Sequence, residues 1–290
     1  MKRRFVTGLL AAAASAGIAL AGNGAQAQEI QLTGPLAGAP AVRHLREYRA
    51  GRFEIAPAIS FTLLDQYRRT IIAGARLNYN FTDWIAFGVW GGYGVLSMNT
   101  NLASEINDTA PRNALTAINV NHTGAYPAYG SADFTDQTAK LNWVVAPQLT
   151  FTPFRGKLAI FNKIFVDTDF YLALGEGIVG IQERGDCGGS AAIASCADPA
   201  SFALTSKIKP TYGTFGLGLT FFGGDFWSLG VEYRALPFTW NRAGFDTRGA
   251  GTNGNYPDFQ INSKDDTFAF NQLVTVSLGF YLPASPHISQ

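Results

Sequence analysis

The chain has 290 residues, with 22 Lys and Arg against 21 Asp and Glu, and only 15% charged residues beside 13% aromatic ones. That balance excludes a disordered chain, which needs low hydrophobicity and high net charge, and leaves no basic footprint for nucleic acid. Two cysteines are too few for a disulfide scaffold or a four-cysteine zinc site.

Met1-Lys2-Arg3-Arg4 is a basic start, Phe5 to Gly22 is an apolar, alanine-rich run, and Ala25-Gln26-Ala27 is a small-x-small cleavage site. This reads as a secretory signal peptide over residues 1–27. Lys2, Arg3 and Arg4 are three of the 22 basic residues, so the mature chain is slightly acidic. Beyond residue 28 no apolar run reaches the 18 residues that a membrane helix needs.

Residues 28–51 read as a leader. Gly34-Pro35 and Gly38-Ala39-Pro40 are extended or looped, and Val42 to Arg49 is compatible with two helical turns. The leader either plugs the barrel that follows or docks a partner, or it is simply solvated.

Residues 52–282 alternate. Phe53, Ile55, Pro57, Ile59, Phe61 and Leu63 share one face, and Arg52, Glu54, Ala56, Ala58, Ser60 and Thr62 the other. The same period of two runs through 71–81, 140–151, 226–234 and 270–280. Segments 84–98, 166–181 and 208–222 are less regular but rich in Gly, Val, Leu and aromatics. Eight strands result, each longer than the five or six residues usual in globular proteins and long enough to cross a bilayer at a tilt.

The connections alternate in length as well. Turns near 81–84, after Thr152 and at Gly223-Gly224-Asp225 are short or moderate, whereas 99–137, 183–206 and 239–266 are long and polar. Asp65 to Arg69 is the exception, a short turn on the long-loop side. Short turns on one side and long loops on the other mark an all-β transmembrane antiparallel barrel of eight strands. Phe81, Trp84, Phe151, Phe154, Phe222 and Trp227 crowd the short turns and are expected to form a periplasmic aromatic girdle. Residues 156–163 read either as a short interfacial helix or as the lower part of a long fifth strand.

An eight-stranded barrel is just wide enough for side chains to fill it. The inward face carries Arg52, Glu54, Arg76, Asn78, Lys140, Gln148, Glu232 and Arg234. Glu54, Arg76, Lys140, Glu232 and Arg234 are therefore expected to pair as a polar network across a plugged lumen, because an unpaired charge there is costly.

Cys187 and Cys196 share one long loop and, in an oxidising compartment, are expected to form a disulfide. No metal site and no cofactor are expected. His44, His122 and His287 fall in the leader, a long loop and the tail. Only His122 has acidic and hydroxyl groups in its loop (Asp108, Ser131, Asp133 and Asp136), and no Gly-x-Ser-x-Gly or phosphate-binding loop is present. The chain thus reads as a non-enzyme.

Leu278-Gly279-Phe280-Tyr281-Leu282 resembles the aromatic-ended last strand that barrel-assembly machinery recognises, followed here by a periplasmic tail, 283–290. Gly34 to Arg43, Gly51 to Thr70 and Gly74 to Asn80 resemble the outer-membrane β-barrel domain proteins common in myxobacteria and related bacteria. So do Gly156-Lys157, Phe161-Asn162 and Asp169 to Leu172. The resemblance implies an outer-membrane barrel and carries no functional residues. The expected role is structural or surface-interacting, through the long loops. The expected partners are outer-membrane lipids, the barrel-assembly machinery, and an extracellular or periplasmic protein. A narrow passive channel for ions or small solutes is the alternative, and a lipid-modifying enzyme a more distant one.

Overall fold

The structure, a computed structural model, describes residues 46–109, 134–160, 164–186, 203–247 and 260–288. Its strands in chain order are β1 (Arg46–Glu47), β2 (Arg52–Leu63), β3 (Arg68–Asn80), β4 (Ile85–Asn99), β5 (Lys140–Ile160) and β6 (Ile164–Gly175). They continue with β7 (Ile178–Arg184), β8 (Leu204–Pro210), β9 (Thr214–Phe222), β10 (Trp227–Trp240), β11 (Thr267–Leu282) and β12 (His287–Ile288). Helices α1 (Asn101–Thr109) and α2 (Phe134–Gln137) lie between β4 and β5. No helix among the described residues is long and apolar enough to cross a membrane.

Eight strands close on themselves. The antiparallel order is β4-β3-β2-β11-β10-β9-β6-β5, and a further β4–β5 pairing joins the two ends. The first and last ring strands meet from Gln272↔Leu63 to Leu282↔Phe53. Closure removes every unpaired edge from the ring, which is what hydrocarbon demands of a sheet.

Two expected strands, 166–181 and 208–222, are each broken once. The first becomes β6 and β7, which pair with successive stretches of β5. The second becomes β8 and β9, separated by Gly213, whose φ of 96° turns the chain in a way that suits glycine. Above the break, β8 leaves the ring. The hydrogen bond from Tyr212 N to Pro237 O, 2.7 Å, ties that point back to β10.

Residues 156–160 continue β5 rather than forming a helix, with register from Phe154↔Phe170 to Ile160↔Ile164. Backbone pairing with β6 satisfies the same groups that a helix would. At this same end β1 pairs with β12, so both chain ends of the barrel meet beside the short turns.

The alternation separates two environments. Along β2 the residues from Arg52 to Thr62 at even positions are buried, and those from Phe53 to Phe61 at odd positions are exposed apart from their neighbours in the sheet. Every ring strand turns large apolar residues outward: Ile59 on β2, Leu77 on β3, Phe87 on β4, Leu149 on β5, Leu174 on β6, Leu219 on β9, Val231 on β10 and Val276 on β11. An apolar exterior on all sides of a closed sheet is the surface of a transmembrane barrel.

Candidate functional site: the lumen and its two ends

Alternation aims one side chain in two at the barrel axis, and near the short-turn end those side chains are charged. Arg76 on β3 donates through Nη2 to Glu54 Oε1 on β2 at 2.6 Å and through Nη1 to Glu232 Oε2 on β10 at 3.1 Å. The Tyr171 hydroxyl on β6 donates to the same Glu232 oxygen at 2.8 Å and accepts from Arg76. Asn78 donates to the other Glu54 oxygen at 3.2 Å. Arg234 donates to Glu232 Oε1 at 2.6 Å and to Gln148 Oε1 at 2.7 Å. All these side chains are buried. Gly218 leaves the space that Tyr171 fills, since a Cβ there would lie 2.2 Å from the ring.

The leader adds a charge from below. Arg49 reaches Asp169 at 3.2 Å and donates to Thr220 Oγ1 at 2.9 Å. Its backbone N–H and that of Ala50 donate to Asp83 Oδ1 at 2.9 and 3.0 Å, so the turn between β3 and β4 holds the leader in place. Gly51, with φ of 70°, makes the bend from leader to strand. Of the leader only residues 46–51 are described, and Arg49 among them is buried; residues 28–45 lie outside the described residues. Tyr48 stacks on Phe222 at 4.6 Å, and its hydroxyl donates to Asp167 at 2.9 Å.

Arg52 closes this end. Its guanidinium donates to the carbonyls of Pro283 (2.7 Å), Tyr48 (2.5 Å), Asp225 (2.9 Å), Ala284 (3.0 Å) and Tyr281 (3.3 Å). One side chain thus fastens the leader, a turn and the end of the last strand.

Toward the long loops the lumen becomes apolar. The Arg234 guanidinium lies 4.3 Å from the Trp90 ring centre, and Trp90 belongs to a buried cluster with Ile72, Val144, Ile181, Leu236, Phe238 and Leu273. The long-loop end is then covered. Arg184 donates to Gln137 Oε1 (3.1 Å) and to the Gly244 carbonyl (3.0 Å), and Phe134 of α2 packs on Tyr67 and Phe245. Glu183 Oε1 sits 3.2 Å from both Lys207 and Lys209, and Lys209 also pairs with Asp266. Burial raises the carboxyls of Asp65 and Asp266, both outside the strands, above their ordinary value.

The predicted lumen residues therefore separate. Glu54, Arg76, Glu232 and Arg234 form one network. Lys140 stands apart from it, partly exposed at the start of β5, while its neighbour Leu141 is buried. A register shift between Leu141 and Trp143 reverses the alternation there. Asp169, Tyr171, Thr220 and Arg49 join the network without having been singled out. Asp169-Phe170-Tyr171-Leu172-Ala173-Leu174 does alternate polar or small with large apolar, and that signal could have found two of them.

Of the predicted girdle, Phe81, Trp84, Phe151, Phe154 and Trp227 are exposed outward near the short turns. Phe222 is not in it. It shares the parity of Thr214, Gly216, Gly218 and Thr220, points inward and is buried under Tyr48. Cys187, Cys196, His44 and His122 lie outside the described residues. Among the described residues no group of three or more His, Cys, Asp and Glu is placed to hold a metal ion.

No protein-family model matches the chain, and no curated protein matches it. Solved structures do. The N-terminal β-barrel domain of Pseudomonas aeruginosa OprF is 8% identical, covering 80% of this chain and 98% of that one at a TM-score of 0.39. Neisserial surface protein A is 11% identical over 79% and 93%, at 0.35. The outer membrane protein OprG from Pseudomonas aeruginosa is 8% identical over 81% and 97%, also at 0.35. At such scores the fold assignment rests on the closed ring itself.

Proposed function

We propose that this chain is a bacterial outer-membrane barrel with a closed lumen, a non-enzymatic protein with a structural or surface-interaction role exercised through its long loops. The observation that carries the reading is the sequence of barriers along the axis: the Arg52 hub, the Arg76–Glu54–Glu232 network, the Trp90–Phe238 apolar layer and the Arg184 cover. An ion crossing the apolar layer would lose its water with nothing to replace it. The signal-peptide pattern of residues 1–27 and the apolar outward face support the outer membrane as its place. The short turns and both chain ends then face the periplasm and the long loops face outside. The resemblance to the myxobacterial barrel proteins agrees with this placement. Lipids would contact the outward face, assembly machinery would meet the last strand, and a protein partner would meet the loops.

The test is conductance of the purified, refolded chain in planar bilayers. The reading expects a flat trace at transmembrane voltages that keep the bilayer intact. Discrete, reproducible openings would overturn it in favour of a narrow passive channel.

A further inference from the structure

Below Gly213 the wall is a closed ring, because β9 pairs with β10 on one side and β6 on the other. Above it β7 and β8 take the places of β6 and β9, and β8 pairs with β7 alone. There β8 and β10 face each other across a seam.

The backbone shows why no ladder closes it. Thr211 N donates to the Gly177 carbonyl at 2.8 Å. By alternation Lys209, Lys207 and Thr205 also turn their backbone groups to β7, and Pro210, Ile208 and Ser206 turn theirs to the seam. From the other side, Tyr212 N donates to Pro237 O at 2.7 Å, so Pro237 and Thr239 face the seam from β10. A ladder growing from that bond needs Pro237 N–H to donate back to Tyr212, and Pro210 N–H to donate to Thr239. Proline has no such hydrogen. One proline is enough to protect an edge from a stray strand; prolines on both edges of one seam keep those two edges from each other.

Side chains bridge the seam instead. Asn241 N donates to Glu183 Oε2 of β7 at 3.1 Å, and Lys209 of β8 pairs with Asp266 just before β11. On the outward face the Tyr212 and Phe268 rings lie 6.0 Å apart, and with Ile208 they are at least 60% exposed.

We infer that this seam is a built-in parting line, at which β8 swings away from β10 as an intact strand and returns. Parting bares the apolar layer sideways, Ile181 and Phe238 included, while the ring below stays shut. The device goes beyond the closed-lumen reading and leaves it unchanged.

Residue-resolved hydrogen exchange on the full chain in lipid nanodiscs tests this. The Tyr212 amide, bonded across the seam, should exchange at least about tenfold faster than those of Lys207 and Lys209, which face β7, and of Leu219, which lies in the closed ring. Tyr212 exchanging as slowly as Leu219 would overturn the proposal, since the seam would then stay shut. Lys207 and Lys209 exchanging together with Tyr212 would overturn it too, since β8 would then fray instead of moving whole. Pro210→Ala/Pro237→Ala restores both donors and should slow Tyr212 about tenfold, the scale of two hydrogen bonds. Asp266→Ala frees Lys209 from the ring and should speed Tyr212 about threefold, the scale of one partly exposed ion pair. A heat-shifted gel band shows whether each variant folds, and unchanged Tyr212 exchange in a folded variant would overturn the proposal. If the proline variant does not fold, the parent profile and Asp266→Ala decide. Conductance along the axis is read separately, so a silent bilayer and a shut seam are independent results.

Discussion

Arg76 and Glu54 meet inside the barrel at 2.6 Å, on adjacent strands but offset by one inward position, since Glu54 faces Asn78 in the register and Arg76 faces Ala56. Both side chains are at most 5% exposed. The offset lets Arg76 reach past Glu54 to Glu232 on the far side of the closure, so one guanidinium serves two carboxylates. Arg76→Met leaves buried Glu54 with Asn78 as its hydrogen-bond donor and takes from buried Glu232 one of its three donors. The expected loss is about 3–5 kcal/mol, the range for breaking a buried pair from one side. The double variant Glu54→Gln/Arg76→Met should recover part of it, because Glu232 still holds Arg234 at 2.6 Å. Urea unfolding in lipid vesicles measures both. A single variant within about 1 kcal/mol of the parent would mean that the network does not hold the barrel together.

Tyr171 depends on an absence. Gly218 on β9 stands opposite it in the register, and a Cβ at that position would come within 2.2 Å of the ring. Gly218→Ala forces the ring off Glu232 and Arg76 and should cost about 1–3 kcal/mol. Tyr171→Ala removes the ring and leaves a cavity. In the double variant the new methyl has room, so the two losses should fall short of adding. Full additivity in the same unfolding assay would show that the two residues do not share this space.

Period-two alternation placed the strands correctly because each side chain in a closed ring has only two destinations, lipid or lumen. Glu54, Arg76, Glu232 and Arg234 were legible for that reason: a charged residue among apolar neighbours on a lipid-bathed strand has to face inward. Lys140 obeyed the same count and escaped it, because the shift at Leu141/Trp143 changes parity without a local sequence mark. Phe222 misled for a different reason. Aromatics suit both an interfacial girdle and a stacked lumen plug, and only the parity of β9 separates the two. Arg49 could not be read at all from alternation. It comes from the leader, and its place depends on the turn at Gly51 and on Asp83, which lies 34 residues away.

The two halves of the lumen make separable predictions about permeation. Charged side chains that pair with one another still offer an ion some solvation, whereas the Trp90–Phe238 layer offers none. Trp90→Ala/Phe238→Ala should therefore produce small, discrete currents in planar bilayers. Glu54→Gln/Arg76→Met, which alters only the ionic half, should stay silent. Currents from the second variant and none from the first would place the barrier in the network instead.

Four of the five tryptophans report the orientation of the wall. Trp84 and Trp227 are 60% and 37% exposed on the outward face near the short turns, whereas Trp90 and Trp240 are 2% and 5% exposed inside. Aromatic rings at an interface sit at headgroup level, so Trp84 should be quenched most by lipids brominated high on the acyl chain. Variants retaining only Trp84 or only Trp90, reconstituted in such lipids, separate the cases. Trp84 should lose most of its emission with shallow bromines and less with deep ones. Trp90 should change little with either, because two layers of side chain and backbone stand between it and the lipid. Strong quenching of Trp90 would mean that the ring opens in the membrane or that its faces are reversed, and the closed-lumen reading would fall with it.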